Sequence, residues 1–253
     1  MTPGTPRLTF FVIVVPIPLS DENPATRRPY VTVGLIIVNA LFWFYEVATG
    51  VDQATVTFGV IPSWLLGGVT EGWIQIPDYG SVPVHQGVPW PFTVLTSMFM
   101  HGSWLHIIGN MWFLWIFGDN VEDAMGHGRY FAFYIVAGVA AAMAQVLITP
   151  SATVPMVGAS GAIAGVLGAY LILYPHARVR SLFILFIFIT TIYVPAWLLL
   201  GLWFVSQFFI GGHEVAWMAH VGGFIAGAAL VHLLVKHRPP PRRPRFPPIY
   251  ERV

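Results

Sequence analysis

The chain contains no cysteine, which removes disulfide staples, thiolate metal ligands and a cysteine nucleophile from its chemistry. Charge is almost as scarce. Twelve Lys and Arg with 11 Asp and Glu make up only 9% of 253 residues, too few to cover a water-soluble globule of that size. Their net balance of +1 gives no electrostatic reason to expect a nucleic-acid partner. What the chain has instead is apolar surface: 56% hydrophobic residues, 15% aromatic, and a mean hydropathy of +0.71. Such a composition belongs in a lipid bilayer, and the chemistry left to it is that of hydroxyl, imidazole and carboxylate.

A helix needs roughly 20 apolar residues to cross the hydrocarbon core. Six stretches qualify, at 30–49, 92–118, 130–148, 159–174, 182–210 and 215–235. The fifth is too long for one crossing and carries Pro195. Residues 182–194 are therefore read as an approach segment and 195–210 as the spanning helix, with proline in its first turn. The expectation is an all-α polytopic membrane protein. A cytoplasmic N-terminal segment over 1–29 precedes a six-helix domain over 30–236, and a Pro- and Arg-rich tail follows over 237–253.

Lys and Arg collect on the cytoplasmic side of membrane proteins. Arg7, Arg27 and Arg28 precede the first span, Arg129 lies between the second and third, and Arg178 and Arg180 lie between the fourth and fifth. Lys236 and the five arginines of the tail follow the sixth. The opposite loops carry Asp52, Glu71, Asp78 and Glu214 with no Lys or Arg. Both termini are thus predicted to be cytoplasmic, with Ser160 near the outer face. The opening "LTFFVIVVPIPL" is broken by Pro16 and Pro18 and lacks a small-residue cleavage site, so it reads as a surface-lying segment, not a signal peptide. The connection over 50–90 is long and rich in Gly, Pro and Trp, which suits a loop dipping into the outer leaflet. The tail reads as a disordered segment attracted to anionic lipid.

In the fourth span Gly161, Gly165 and Ala169 recur every four residues, as do Ser160, Ala164 and Gly168; in the sixth, Ala219, Gly223 and Gly227 do the same. Faces this small let two helix backbones approach closely. On texture alone "GASGA" could be a packing face whose serine bonds its own backbone. The sixth span, however, places His220 about one turn inside its outer end, at the depth of Ser160. A serine hydroxyl needs a neighbour to take its proton before it can act as a nucleophile, and an imidazole is suited to that. The second span adds "HGSWLHIIGN", in which His106 and Asn110 share a helix face. Both are donors of the kind a tetrahedral oxyanion requires, together with the serine's own N–H. The alternative for these side chains is a polar seam between helices, with His101 at the water interface. A zinc site from His101, His106 and His220 has neither an HExxH motif nor an acidic residue on that helix face to support it.

The segments "HGSWLHIIGNMWFLWIFGDNVEDAMGHGRY", "GASGA" and "AHVGGFIAGA", with the lead-in "PIPLSDENPATRRPYVTVGLIIVN", resemble the rhomboid intramembrane serine proteases in their bacterial six-helix form. The resemblance implies that Ser160 is the nucleophile and His220 the base of a dyad without a carboxylate. It implies oxyanion and substrate-binding roles for Asn110, His106 and Gly158. It makes Glu122 a structural acid near the cytoplasmic end of the second span, and Gly223 the glycine that lets the sixth span pack on the fourth. No metal and no cofactor are implied. The expected partners are transmembrane protein substrates within the lipid bilayer of a bacterial inner or cell membrane; the oligomeric state is left open. Substrates of the family are single-pass helices with small residues at the cut and helix-weakening residues nearby, admitted between the second and fifth spans.

Three features depart from the family pattern. Ala164 stands where some members place an aromatic that stacks on the histidine, so the imidazole must be oriented from elsewhere. No arginine lies between Arg28 and Arg129, so the first loop lacks the usual Trp-Arg pair and must be held by other contacts. Residues 1–15 precede the point at which members of this type often begin, and are read as an extension or a misplaced start. Two rivals remain: a pseudoprotease, expected to lack Ser160 or His220, and a transporter or channel, expected to carry charges inside its spans.

Overall fold

The structure, a computed structural model, describes residues 16–67, 71–76, 80–85, 88–185, 187–210 and 216–235. In chain order its elements are β1 (Ile17–Asp21), α1 (Tyr30–Thr49), α2 (Val51–Phe58), α3 (Pro62–Gly67) and the hairpin β2 (Glu71–Ile76) and β3 (Gly80–His85). Then follow α4 (Thr93–Thr96), flanked by 3₁₀ turns, α5 (Trp104–Met125), α6 (His127–Ile148) and α7 (Ser160–Leu173). The strands β4 (Arg178–Leu185) and β5 (Phe188–Pro195) lead to α8 (Ala196–Ile210) and α9 (Trp217–Leu234). The expected N-terminal surface segment up to residue 15 and the tail from 237 lie outside the described residues.

The protein is mostly helical, and α7 is its axis. Every residue of α7 from Gly161 to Tyr170 is buried, against α9, α6 and α5. Close approach makes this possible. A side chain on Gly223 would overlap the carbonyl of Gly161, and one on Gly227 the backbone of Gly165. The small faces foreseen on the fourth and sixth spans therefore meet each other, backbone on backbone. Large apolar side chains elsewhere point outward, among them Leu41 and Phe44 on α1, Leu105 and Ile108 on α5, Phe209 on α8 and Leu233 on α9. A belt of that size suits lipid, not water.

The six-span expectation changes in three places. Three helices are long and apolar enough to cross a membrane among the described residues: Tyr30–Thr49, His127–Ile148 and Trp217–Leu234. Helix α7 has 14 residues and so rises roughly 21 Å, short of the ~30 Å hydrocarbon core. Its first residue is Ser160, which is half-buried. The expected span 92–118 begins instead at Trp104, because Ser103 adopts an extended conformation and its hydroxyl caps the helix by accepting from the His106 N–H. The approach segment expected over 182–194 lies in a two-stranded hairpin over 178–195, built from β-branched and aromatic residues, and Pro195, expected in the first turn of the spanning helix, instead closes the strand just before α8. The "PIPL" stretch joins that hairpin as β1, pairing antiparallel with β4, so a small three-stranded sheet, separate from the β2–β3 hairpin, caps one end of the helical bundle.

The same end carries the five described arginines and a buried acidic cluster. Glu122 accepts from the N–H groups of Val31 and Thr32 at 2.9 and 2.8 Å and from the Thr32 hydroxyl, capping α1 from the far end of α5. Asp123 holds the Thr26 and Arg27 N–H groups in the same way. Asp21 accepts from the Tyr170 hydroxyl at 2.5 Å and from Asn120 at 3.0 Å. Burial, aided by nearby Asp119 against the opposing Tyr170 bond, pushes the Asp21 carboxyl up from 3.8 to about 7. The folded protein therefore binds a proton that the unfolded chain releases between these values. Stability from this group is full below pH 3.8 and is lost as pH rises through about 7. Thermal unfolding in detergent is expected to give a lower Tm at pH 8 than at pH 5, and Asp21→Asn to shrink the difference. An unchanged difference in that variant would exclude Asp21 as its source.

Candidate active site

Three helices begin at the opposite end of the bundle: α5, α7 and α9. Each presents a functional side chain within its first two turns. Ser160 is the first residue of α7. The cap residue Ala159 offers no side-chain bond, and the first intrahelical bond closes from the Ile163 N–H to the Ala159 carbonyl. The Ser160 N–H thus stays at the open, positive end of the helix. His220 lies one turn into α9. The first turn of that helix also lacks a cap of its own, but Gln145 of α6 reaches across and accepts from the Met218 and Ala219 N–H groups at 3.0 and 3.3 Å.

The glycine contacts between α7 and α9 bring the two side chains together. His220 Nε2 lies 2.9 Å from Ser160 Oγ, and His220 Nδ1 lies 2.7 Å from the Gln207 amide oxygen on α8. Trp203, one turn earlier on α8, flanks the imidazole with its ring centroid 6.1 Å away and tilted by 40°. Gln207 and Trp203 of α8 thus contact the imidazole, while position 164 holds alanine. Gln207 was not singled out in the sequence. The signal was present, as an amide within the apolar run "WLLLGLWFVSQFFI" of α8.

His106 and Asn110 line the same cleft, a cavity of about 960 Å³ shared with Ser160, His220, Trp203 and Gln207. The Asn110 amide nitrogen is buried and has no hydrogen-bond partner among the described residues. His106 Nδ1 accepts a long 3.5 Å bond from the Gly102 N–H, which leaves Nε2 as the protonated nitrogen, facing Gly158. Gly158 has φ +126°, and a side chain there would meet His106 Nε2 at 2.7 Å. Its own N–H donates to the Ser97 carbonyl at 2.8 Å. What Gly158 supplies is therefore the missing side chain and a left-handed turn, not a free donor.

His101 is not at the water interface. It is fully buried, packs edge-on against His106 at 5.1 Å, and its backbone N–H donates to Glu46 at 3.0 Å. That bond, with the Thr96 hydroxyl on the Phe58 carbonyl and the Val60–Met156 bridge, holds the first loop where no arginine is available. The loop itself is largely structured as α2, α3 and the β2–β3 hairpin. No group of three His, Asp or Glu side chains suited to a metal ion occurs among the described residues.

A family model, the Rhomboid domain, matches residues 89–237. The chain belongs to the rhomboid family. It is 27% identical over 205 residues to "Rhomboid-like protein 11, chloroplastic" of Arabidopsis thaliana, covering 78% of this chain and 66% of that protein. It is 36% identical over 148 residues to "Rhomboid protease GluP" of Bacillus subtilis, covering 58% and 27%. It is 31% identical over 142 residues to "Rhomboid protein 1, mitochondrial" of Saccharomyces cerevisiae, covering 54% and 34%. The match thus spans about two thirds of the first relative and only 27% and 34% of the other two. The matched region starts just ahead of α4 and ends just past α9, so it encloses Ser160, His220, His106 and Asn110. Together with the apolar helices it makes this an integral membrane protein.

Proposed function

We propose that this rhomboid protein is an intramembrane serine endopeptidase. Its substrates would be the transmembrane segments of other proteins, and it would work from a six-span bundle in a cell membrane with both termini cytoplasmic. The observation that carries the reading is the 2.9 Å contact between Ser160 Oγ and His220 Nε2 inside a cleft that also holds an unpaired amide donor. Among rhomboid relatives, the Bacillus protein is named a protease.

In this reading His220 Nε2 takes the hydroxyl proton as Ser160 Oγ bonds to the substrate carbonyl carbon. The negative charge that develops on the carbonyl oxygen is met by Asn110 Nδ2, His106 Nε2–H and the Ser160 N–H, at the positive end of α7. The imidazolium then returns the proton to the leaving amine, and water releases the acyl group by the reverse route. The substrate helix has to unwind locally, because a peptide bond inside a hydrogen-bonded helix cannot offer its carbonyl to Ser160. Asn110 is ready for this task because its donor makes no bond in the resting site. Asn110→Ala is expected to lower kcat by about 10²- to 10³-fold with a smaller change in KM. A change confined to KM would assign Asn110 to substrate binding instead. The reading as a whole is tested by incubating the purified protein in proteoliposomes with a single-pass substrate. Cleavage that requires both Ser160 and His220 supports it, and cleavage indifferent to either sinks it.

A further inference from the structure

The Ser160–His220 contact uses one imidazole nitrogen, and the other, Nδ1, is bonded as well. We propose that Gln207 is a positioning residue that sets the tautomer and ring plane of His220, doing with a neutral amide what a buried carboxylate does in a three-residue charge arrangement. The inference rests on the protease reading above.

The geometry fixes each role in turn. The Gln207 amide nitrogen donates to the Trp203 carbonyl at 2.9 Å, one turn back on α8, and to the Ser206 hydroxyl at 3.2 Å. That leaves the amide oxygen as the group facing His220 Nδ1 at 2.7 Å. An oxygen can only accept, so Nδ1 carries the proton and Nε2 presents its lone pair to Ser160 Oγ. The opposite tautomer would face a hydroxyl with an N–H and leave Nδ1 and the amide oxygen as two acceptors in contact. A base with its proton on the wrong nitrogen cannot take one from serine. Gln207 is 5% exposed, so water does not substitute easily for the bond. Trp203 closes one side of the ring, and the two residues sit four apart on one face of α8. Position 164, on α7, holds only a methyl group. The alignment of the base is thereby tied to the seating of α8.

A bulkier or aliphatic residue at 207 that still fills the space removes the acceptor without opening a cavity. Gln207→Leu is expected to lower kcat, and the rate at which a fluorophosphonate probe labels Ser160, by roughly 10- to 100-fold. KM and Tm should stay near their wild-type values. Gln207→Glu, which keeps an acceptor oxygen, should recover most of the rate. In protein carrying ¹⁵N-histidine, the His220 nitrogens should show the Nδ1–H tautomer in the wild type and lose it in Gln207→Leu. A folded Gln207→Leu protein with the wild-type labelling rate, or with an unaltered His220 tautomer, overturns the proposal while leaving the protease reading intact. Absence of Ser160-dependent labelling in the wild type overturns the protease reading itself, and the two failures are thereby told apart.

Discussion

Ser160→Ala and His220→Ala are each expected to reduce kcat on a membrane-helix substrate by on the order of 10⁴-fold or more, with no further loss when they are combined. The reason is that the two groups act as one unit. Without His220 the hydroxyl loses its proton acceptor: among the described residues the side-chain partner of Ser160 Oγ is His220 Nε2. Without Ser160 the imidazole has nothing to activate except water. Ser160→Ala should leave the fold intact, because Ser160 starts α7 without capping it, whereas His220→Ala also leaves the buried Gln207 oxygen unpaired and should lower Tm modestly. Substrate cleavage measured beside Tm separates the two effects. Equal additive losses from the two variants would mean that they act independently, contrary to the dyad.

The second large effect falls on stability. Gly223→Leu is expected to prevent folding, and Gly223→Ala to cost about 1–3 kcal/mol or more, measured as loss of Tm and of soluble monodisperse protein in detergent. A methyl group at Gly223 would overlap the Gly161 carbonyl and crowd Ala141. These are backbone atoms and a neighbouring helix, so nothing flexible can move aside. The helices α7 and α9 would have to separate, and Gly161 is the residue after Ser160, so the dyad distance would open with them. A milder loss in Gly223→Ala should accordingly lower activity by more than the stability change alone. Gly109→Ala is the contrasting control for stability, since apart from its own stretch of helix no described atom lies within 4 Å of a methyl group added there.

Much of this site was readable from particular residues. Topology and the four-residue spacing of small residues put Ser160 and His220 at one depth on facing helices, and the structure places them 2.9 Å apart. The stretch "HGSWLHIIGN" placed His106 and Asn110 on one face of α5, and both line the cleft. What resisted reading were features that depend on long-range partners. Residues 178–195 are apolar enough to pass as part of a span, and it is the pairing of β4 with β5, and of β4 with the distant β1, that makes them strands. The start of α5 depends on the Ser103 cap, an interaction that hydropathy averages over. The role of Glu122 came only with the resemblance, and the partners of Glu122 and Asp123 are N–H groups some 90 residues earlier in the chain, which no local pattern marks. Gln207 escaped because a lone amide in an apolar run has no motif around it, and its meaning appears only when His220 is seen opposite.

The most direct test of the account is covalent. The purified protein is treated with a fluorophosphonate probe in detergent and the modified residue identified by mass spectrometry, comparing wild type with Ser160→Ala, His220→Ala and the exposed-serine control Ser151→Ala. Ser103 is unsuitable as a control, because it caps the helix that carries His106. The account predicts a single adduct on Ser160 that is absent in the first two variants and unchanged in the third. A folded wild-type protein that stays unlabelled, or that is labelled at a serine other than Ser160, would contradict it.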